Sequence, residues 1–160
     1  MEKNCKKNRS CGDCIACCVY LRIESPELNK KPMEHCPYLT LEDPVQDGVA
    51  QYTGASKEGN CSIYCEKSKR PECCGGYLCA WRAGHGADED RPDRSLMLFE
   101  RSKMIGNALE AKPIKDGQED TTAGRETIDR MSVSTGFPVI VLNFYERRIL
   151  RIAGRPVEEV

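Results

Sequence analysis

"CGDCIACC", Cys11 to Cys18, sets four cysteines within eight residues, the last two adjacent. What those sulfurs do decides the fold, because a chain of 160 residues has room for one domain, or a module with an appendage. Two residues between cysteines let both sulfurs turn toward one centre while intervening amides donate to them. Cys11, Cys14 and Cys17 can therefore serve one site, a spacing common to zinc and iron–sulfur ligation. Cys18 adds a constraint, since the side chains of adjacent residues diverge in helix and strand alike. The reading is a shared wall between two centres, with Cys17 and Cys18 facing different ones.

Working outward, the chain holds 11 cysteines, at 5, 11, 14, 17, 18, 36, 61, 65, 73, 74 and 79, and none beyond. This divides it into a cysteine module over 5–81 and a cysteine-free remainder. A disulfide framework is the alternative use of so many cysteines. It requires an oxidising compartment, and here the count is odd and "MEKNCKKNRSC" has no apolar signal-peptide core. The expectation is a cytoplasmic protein whose thiolates act as soft metal ligands. No apolar stretch has the length of a membrane span, so no membrane insertion is expected. The formal net charge of −1 gives no general attraction to nucleic acid.

The later cysteines lie in "HCPYL" (Cys36), "NCSIYC" (Cys61, Cys65) and "RPECCGGYLCAW" (Cys73, Cys74, Cys79). Gly75 and Gly76 would let the backbone pass close to a metal or cluster. Neither His35 nor His85 joins the metal set, because a lone His beside a cysteine is more often a surface or supporting group.

Together "CGDCIACC", "HCPYL", "CSIY", "RPECC" and "GYLCAW" resemble, across about half the chain, the CxxCxxCC, or YkgJ-like, cysteine-cluster family of zinc- or iron-chelating proteins. The resemblance implies eight ligands: Cys11, Cys14, Cys17, Cys18, Cys36, Cys61, Cys74 and Cys79. Arg70 and Pro71 match the family's Arg-Pro, and Tyr77 its aromatic position. Cys5, Cys65 and Cys73 are left over, although Cys73 can exchange with Cys74. Eight thiolates close two four-cysteine sites, holding either two [4Fe-4S] clusters or two zinc ions. The consecutive triple followed by isolated cysteines leans toward iron–sulfur, since zinc usually takes two CxxC knuckles.

The fold class expected is a small irregular α or α+β fold organised by metal, with short helices and loops around the cysteine-ligated centres and strands at the C-terminus. "ESPELNKKP" reads as a short helix capped by Ser25 with Pro26 at its first position. Segment 82–112 reads as a packing helix, with Leu96, Phe99, Met104, Ile105 and Leu109 near helical intervals and Asp93 or Ser95 as cap. Segment 113–136 reads as a polar loop or tether. Segment 137–160, apolar and basic, either closes the core with strands or docks on a partner.

No phosphate-cradling loop, catalytic triad or nucleophile beside a base is present, so an enzyme is not favoured. The function expected is an iron–sulfur accessory protein, passing electrons to or reporting redox state to a larger protein partner bound through the C-terminal segment. The alternatives are a zinc-stapled binding module, and a metallochaperone or modifying enzyme with an open metal position.

Overall fold

The computed structural model describes residues 9, 14–40, 60–61, 63, 66, 68–142 and 149–153, with main chain alone at 40, 60–61 and 149–153. The chain forms two compact units, Cys11–Tyr77 and a second made of Met1–Ser10 with Leu78–Val160. It is a small mixed α/β protein. No helix among the described residues is long and apolar enough to cross a membrane.

The Cys11–Tyr77 unit is built from very short pieces. Helix α1 (Ala16–Tyr20) buries Ala16, Val19 and Tyr20, joined in the interior by Ile15, Leu21, Leu28, Cys36 and Ile63. Strands β1 (Ile23–Glu24) and β2 (Asn29–Lys30) pair antiparallel, as do β3 (Leu39–Thr40) and β4 (Asn60–Cys61). Helix α2 (Glu72–Gly76) ends the unit. "ESPELNKKP" is thus a hairpin and not the expected helix. Ser25 and Leu28 exchange main-chain hydrogen bonds across Pro26-Glu27, and Ser25 Oγ accepts from Leu28 N at 3.0 Å. A Ser-Pro pair starts a turn as readily as a helix, because Pro supplies the φ that both need.

The second unit carries a four-stranded sheet in the order β5-β6-β7-β8. Strands β5 (Met97–Arg101) and β6 (Leu109–Pro113) form an antiparallel hairpin. Helix α4 (Thr122–Thr135) then crosses over to β7 (Val139–Leu142), parallel to β6, and β8 (Ile149–Ala153) pairs antiparallel with β7. Met97, Phe99, Leu109, Ala111, Val139 and Val141 meet Ile128 and Met131 of α4 in the core. On the opposite face Ile140 and Leu142 pack with Ala108, beside a cross-strand group in which Lys112 pairs with Glu100 and, at 3.5 Å, with Glu110.

The packing helix over 82–112 is replaced by a 3₁₀ turn (Asp88–Asp90), the single-turn helix α3 (Pro92–Ser95) and the β5–β6 hairpin. Leu96 takes a left-handed conformation (φ 56°) that stops α3. The run Met97-Leu98-Phe99 is buried on both faces, a strand pattern that mimics helical spacing when only every third or fourth residue is counted. Asp93 does not cap α3; its carboxylate pairs with the Arg91 guanidinium at 2.5 Å.

The polar tether over 113–136 is largely α4. Thr121 caps it by accepting from Gly124 N at 2.9 Å, and Gly136 (φ 74°) ends it. Its buried face is Gly124, Thr127, Ile128, Met131 and Ser132, a helical stripe written mostly in small and polar residues. Gly124 is needed for close approach, since a Cβ there would lie 1.8 Å from the Gln118 carbonyl oxygen.

The C-terminal segment forms strands as expected. All four residues of β7 are buried between β6 and β8, so Val139–Leu142 closes the protein's own core. Residues 154–160 lie outside the described residues.

Candidate metal centre

Three separated pieces of the Cys11–Tyr77 unit bring cysteines together. Helix α1 carries Cys17 and Cys18, with Cys18 N and Val19 N both donating to Ile15 O. The Cys36 turn is tied to that helix by Cys36 N donating to Cys18 O at 3.2 Å, and leads into β3 through Leu39 N donating to Cys36 O. Helix α2 carries Cys73 and Cys74. Its entry is set by Pro71, whose carbonyl accepts from Cys74 N and Gly75 N, and its end by Arg70, whose guanidinium donates to Cys74 O at 3.2 Å. The Arg-Pro dipeptide thus positions the cysteines that follow it. The β1–β2 turn braces the same helix, with Glu27 Oε2 accepting from Glu72 N at 3.1 Å and Ser25 Oγ lying 3.5 Å from Cys73 Sγ.

The adjacent cysteines do not diverge. Cys17 and Cys18 hold their sulfurs 3.9 Å apart, and so do Cys73 and Cys74. A disulfide bond is about 2.05 Å long and usually joins Cα atoms more than about 4.4 Å apart, further than neighbouring residues stand. Two thiolates on one tetrahedral ion, each about 2.3 Å from it, stand about 3.8 Å apart. The pairs therefore have the spacing of two sulfurs around a bridging atom. Among the described residues, no group of three or more Cys, His, Asp or Glu is close enough to hold one ion.

The thiols nevertheless feel one another. The Cys17 thiol is raised well above its ordinary value, first by its hydrogen bond with Cys18, then by desolvation and the Cys18 charge. The Cys74 thiol is pushed up to about 12 by desolvation, by the charge and hydrogen bond of Cys73, and by the charges of Cys36 and Cys17. Burial lowers the Lys30 ammonium, and the charges of Cys36, Cys18, Glu34 and Cys17 oppose that shift. Cys36, Cys18 and Cys17 thus lie within electrostatic reach of Lys30, and Cys73, Cys36 and Cys17 within reach of Cys74. Ligands that repel each other as anions in the free protein are those a cation or cluster stabilises on binding.

Of the eight cysteines implied by the resemblance, Cys17, Cys18, Cys36 and Cys74 share this region. Cys14 stands just before α1, partly buried. Cys61 pairs its main chain with Leu39, three residues after Cys36. Cys79 belongs to the second unit, where it is buried and its Sγ accepts from Arg82 N at 3.5 Å. Cys11 lies outside the described residues, as do Cys5 and Cys65. An added Cβ at Gly75 or Gly76 would meet no atom of the described residues within 4 Å, so neither glycine is required by packing within the protein.

Sequence reasoning passed over two members of the region. Cys73 was a leftover, yet its sulfur stands beside Cys74 as Cys17 stands beside Cys18. Lys30 gave no signal at all, because a Lys in "NKKP" reads as a solvated surface charge. No family model, curated protein or solved structure matches the chain.

Proposed function

We propose that the Cys11–Tyr77 unit is a metal–thiolate module and that the protein works as an iron–sulfur accessory protein, passing electrons to or reporting redox state to a larger protein partner. The observation that carries the reading is the pair of vicinal thiols on each of α1 and α2, with sulfurs 3.9 Å apart, and the Cys36 turn bonded through Cys36 N to Cys18 O. The donor set is soft sulfur, which suits iron–sulfur and zinc chemistry and not magnesium or calcium. Cys11, Cys14, Cys17, Cys18, Cys36, Cys61, Cys74 and Cys79 are the ligands proposed, in two sets of four. A [4Fe-4S] cluster held by four thiolates supplies one-electron transfer and structural cross-linking, not an open coordination position for substrate.

The protein's own contribution is to hold adjacent sulfurs together: the α1 backbone fixes Cys17 and Cys18 with their sulfurs 3.9 Å apart, so the pair presents one short wall to a centre. The main-chain bond from Cys36 to Cys18 couples that wall to the β3–β4 pair. Loss of a centre would loosen the two-residue strands it ties together, which gives a redox event a structural readout.

A second reading, a zinc-stapled binding module, is favoured by the 3.9 Å spacing within each vicinal pair, which suits two sulfurs on one ion. Cys18→Ser separates the two. In the iron–sulfur reading the variant, purified without oxygen, keeps roughly half of the wild-type iron and visible absorption, because the ligand sets differ. Complete loss, or a colourless wild type, contradicts it.

A further inference from the structure

Lys30 is 2 % exposed. Its Nζ donates to Val19 O at 3.1 Å, to Leu21 O, and to Lys31 O at 3.3 Å. Three carbonyl acceptors use all three hydrogens of an ammonium, one more than a neutral amine has. Among the described residues no carboxylate stands within ion-pair distance of it. Glu34, the acidic side chain whose charge reaches it, accepts a hydrogen bond from Lys31 N at 2.7 Å instead.

An ammonium taken out of water without a paired anion is costly. A methionine or leucine could fill the same interior at lower electrostatic cost. The carbonyl it bonds at 3.1 Å belongs to Val19, the residue after Cys17-Cys18, and Cys36 N bonds Cys18 O, so the groups on this stretch whose negative charge would balance it are the sulfurs of Cys36, Cys18 and Cys17. They carry that charge once they give up their protons to bind a soft metal, and four thiolates on one divalent ion leave the centre at −2.

We propose that Lys30 is the resident countercharge of the thiolate centre: an ammonium fixed by three main-chain carbonyls, placed to offset the charge that Cys17, Cys18 and Cys36 acquire on binding a soft metal ion. It is a positioning residue that need not touch the metal. The inference rests on the metal–thiolate reading above and holds whether zinc or iron–sulfur fills the centre. Fixed groups around metal ligands of this kind change affinity by about 10- to 100-fold when removed.

The test is zinc affinity of the reduced, metal-free full-length chain, measured by competition with a chromophoric chelator, for wild type, Lys30→Met, Lys30→Gln and Lys30→Arg. Gln retains an N–H donor toward the carbonyls but no charge, whereas Arg retains both. A countercharge predicts that Met and Gln each weaken zinc binding about 10- to 100-fold and that Arg stays within a few-fold of wild type. Circular dichroism of the metal-free variants checks that each retains the fold, and if Met alone fails to fold, the comparison of Gln with Arg decides. Gln binding as tightly as wild type overturns the inference in favour of simple hydrogen bonding to the carbonyls. Arg binding no better than Gln overturns it as well. A wild type that takes no zinc overturns the metal–thiolate reading itself, a result distinct from either.

Discussion

Arg130→Met will destabilise the Leu78–Val160 unit by roughly 3 kcal/mol, and by more than Asp90→Asn does. The Asp90 carboxylate is fully buried, and it accepts from Arg130 Nε at 3.1 Å, from Arg130 Nη2 at 2.7 Å and from Ala87 N at 2.8 Å. The Arg130 side chain is 37 % exposed. The asymmetry sets the order. Removing Arg130 leaves an anion in the interior with its amide partner alone, while removing the charge of Asp90 leaves a guanidinium that can turn to water. The carboxylate ties the 3₁₀ turn to α4, so its loss is felt across the helix–sheet contact.

Gly86 reinforces this junction. It sits at φ 74°, and a Cβ there would fall 2.5 Å from Met131 Sδ and 2.8 Å from Asp90 Oδ2. Trp81, the single tryptophan, lies in the same unit and donates Nε1–H to Ala87 O at 2.9 Å. The Arg9 guanidinium stacks on its ring at 4.9 Å and donates to the carbonyls of Trp81, His85 and Gly86. Tryptophan fluorescence therefore reports this unit. The expected fall in thermal midpoint for Arg130→Met is about 12 to 24 °C, since a unit of this size loses roughly 4 to 8 °C per kcal/mol; a fall no larger than that of Asp90→Asn would contradict the order argued from burial.

The second large effect concerns acidity. Zinc affinity of the reduced protein should fall by at least about 10⁴ between pH 8 and pH 6, because each ligand proton displaced contributes a factor of about 10 per pH unit. Two such protons, on Cys17 and Cys74, suffice for that figure. The sign follows from the direction of the shifts: both thiols are raised in the metal-free protein, so both are protonated below neutrality and must lose a proton to bind. Raised values also move the plateau upward. Affinity should go on rising past pH 8.5, the ordinary thiol value, and a plateau reached by pH 7 would contradict the placement of these cysteines.

The two halves of the chain differed in how much they disclosed. Cysteine chemistry is written in residue type and spacing, so Cys17, Cys18, Cys36 and Cys74 stand out without coordinates, whereas the convergence of adjacent sulfurs in α1 and α2 and the hydrogen bonds from Arg70 and to Pro71 depend on local backbone geometry that spacing does not encode. The strands of the C-terminal segment were legible for a similar reason, since Val139–Leu142 is a continuous apolar run bounded by Pro138 and Asn143. Helix α4 was not, because its inward face uses Gly124, Thr127 and Ser132, which carry no hydrophobic signal. The β5 strand was misread because burial on both faces erases the alternation that marks a half-exposed strand. Lys30 was invisible for a different reason: what matters there is burial of a charge, and sequence alone does not report which lysine is buried.

Iron, acid-labile sulfide and zinc per chain, measured together on protein purified without oxygen, test the central claim most directly. The account predicts a metal–thiolate protein with about eight iron and eight sulfide, matching two four-cysteine clusters. About two zinc ions and no sulfide would move the protein to the zinc-stapled reading while keeping the thiolate centre. A chain free of all three, with its thiols still reduced, would contradict the account.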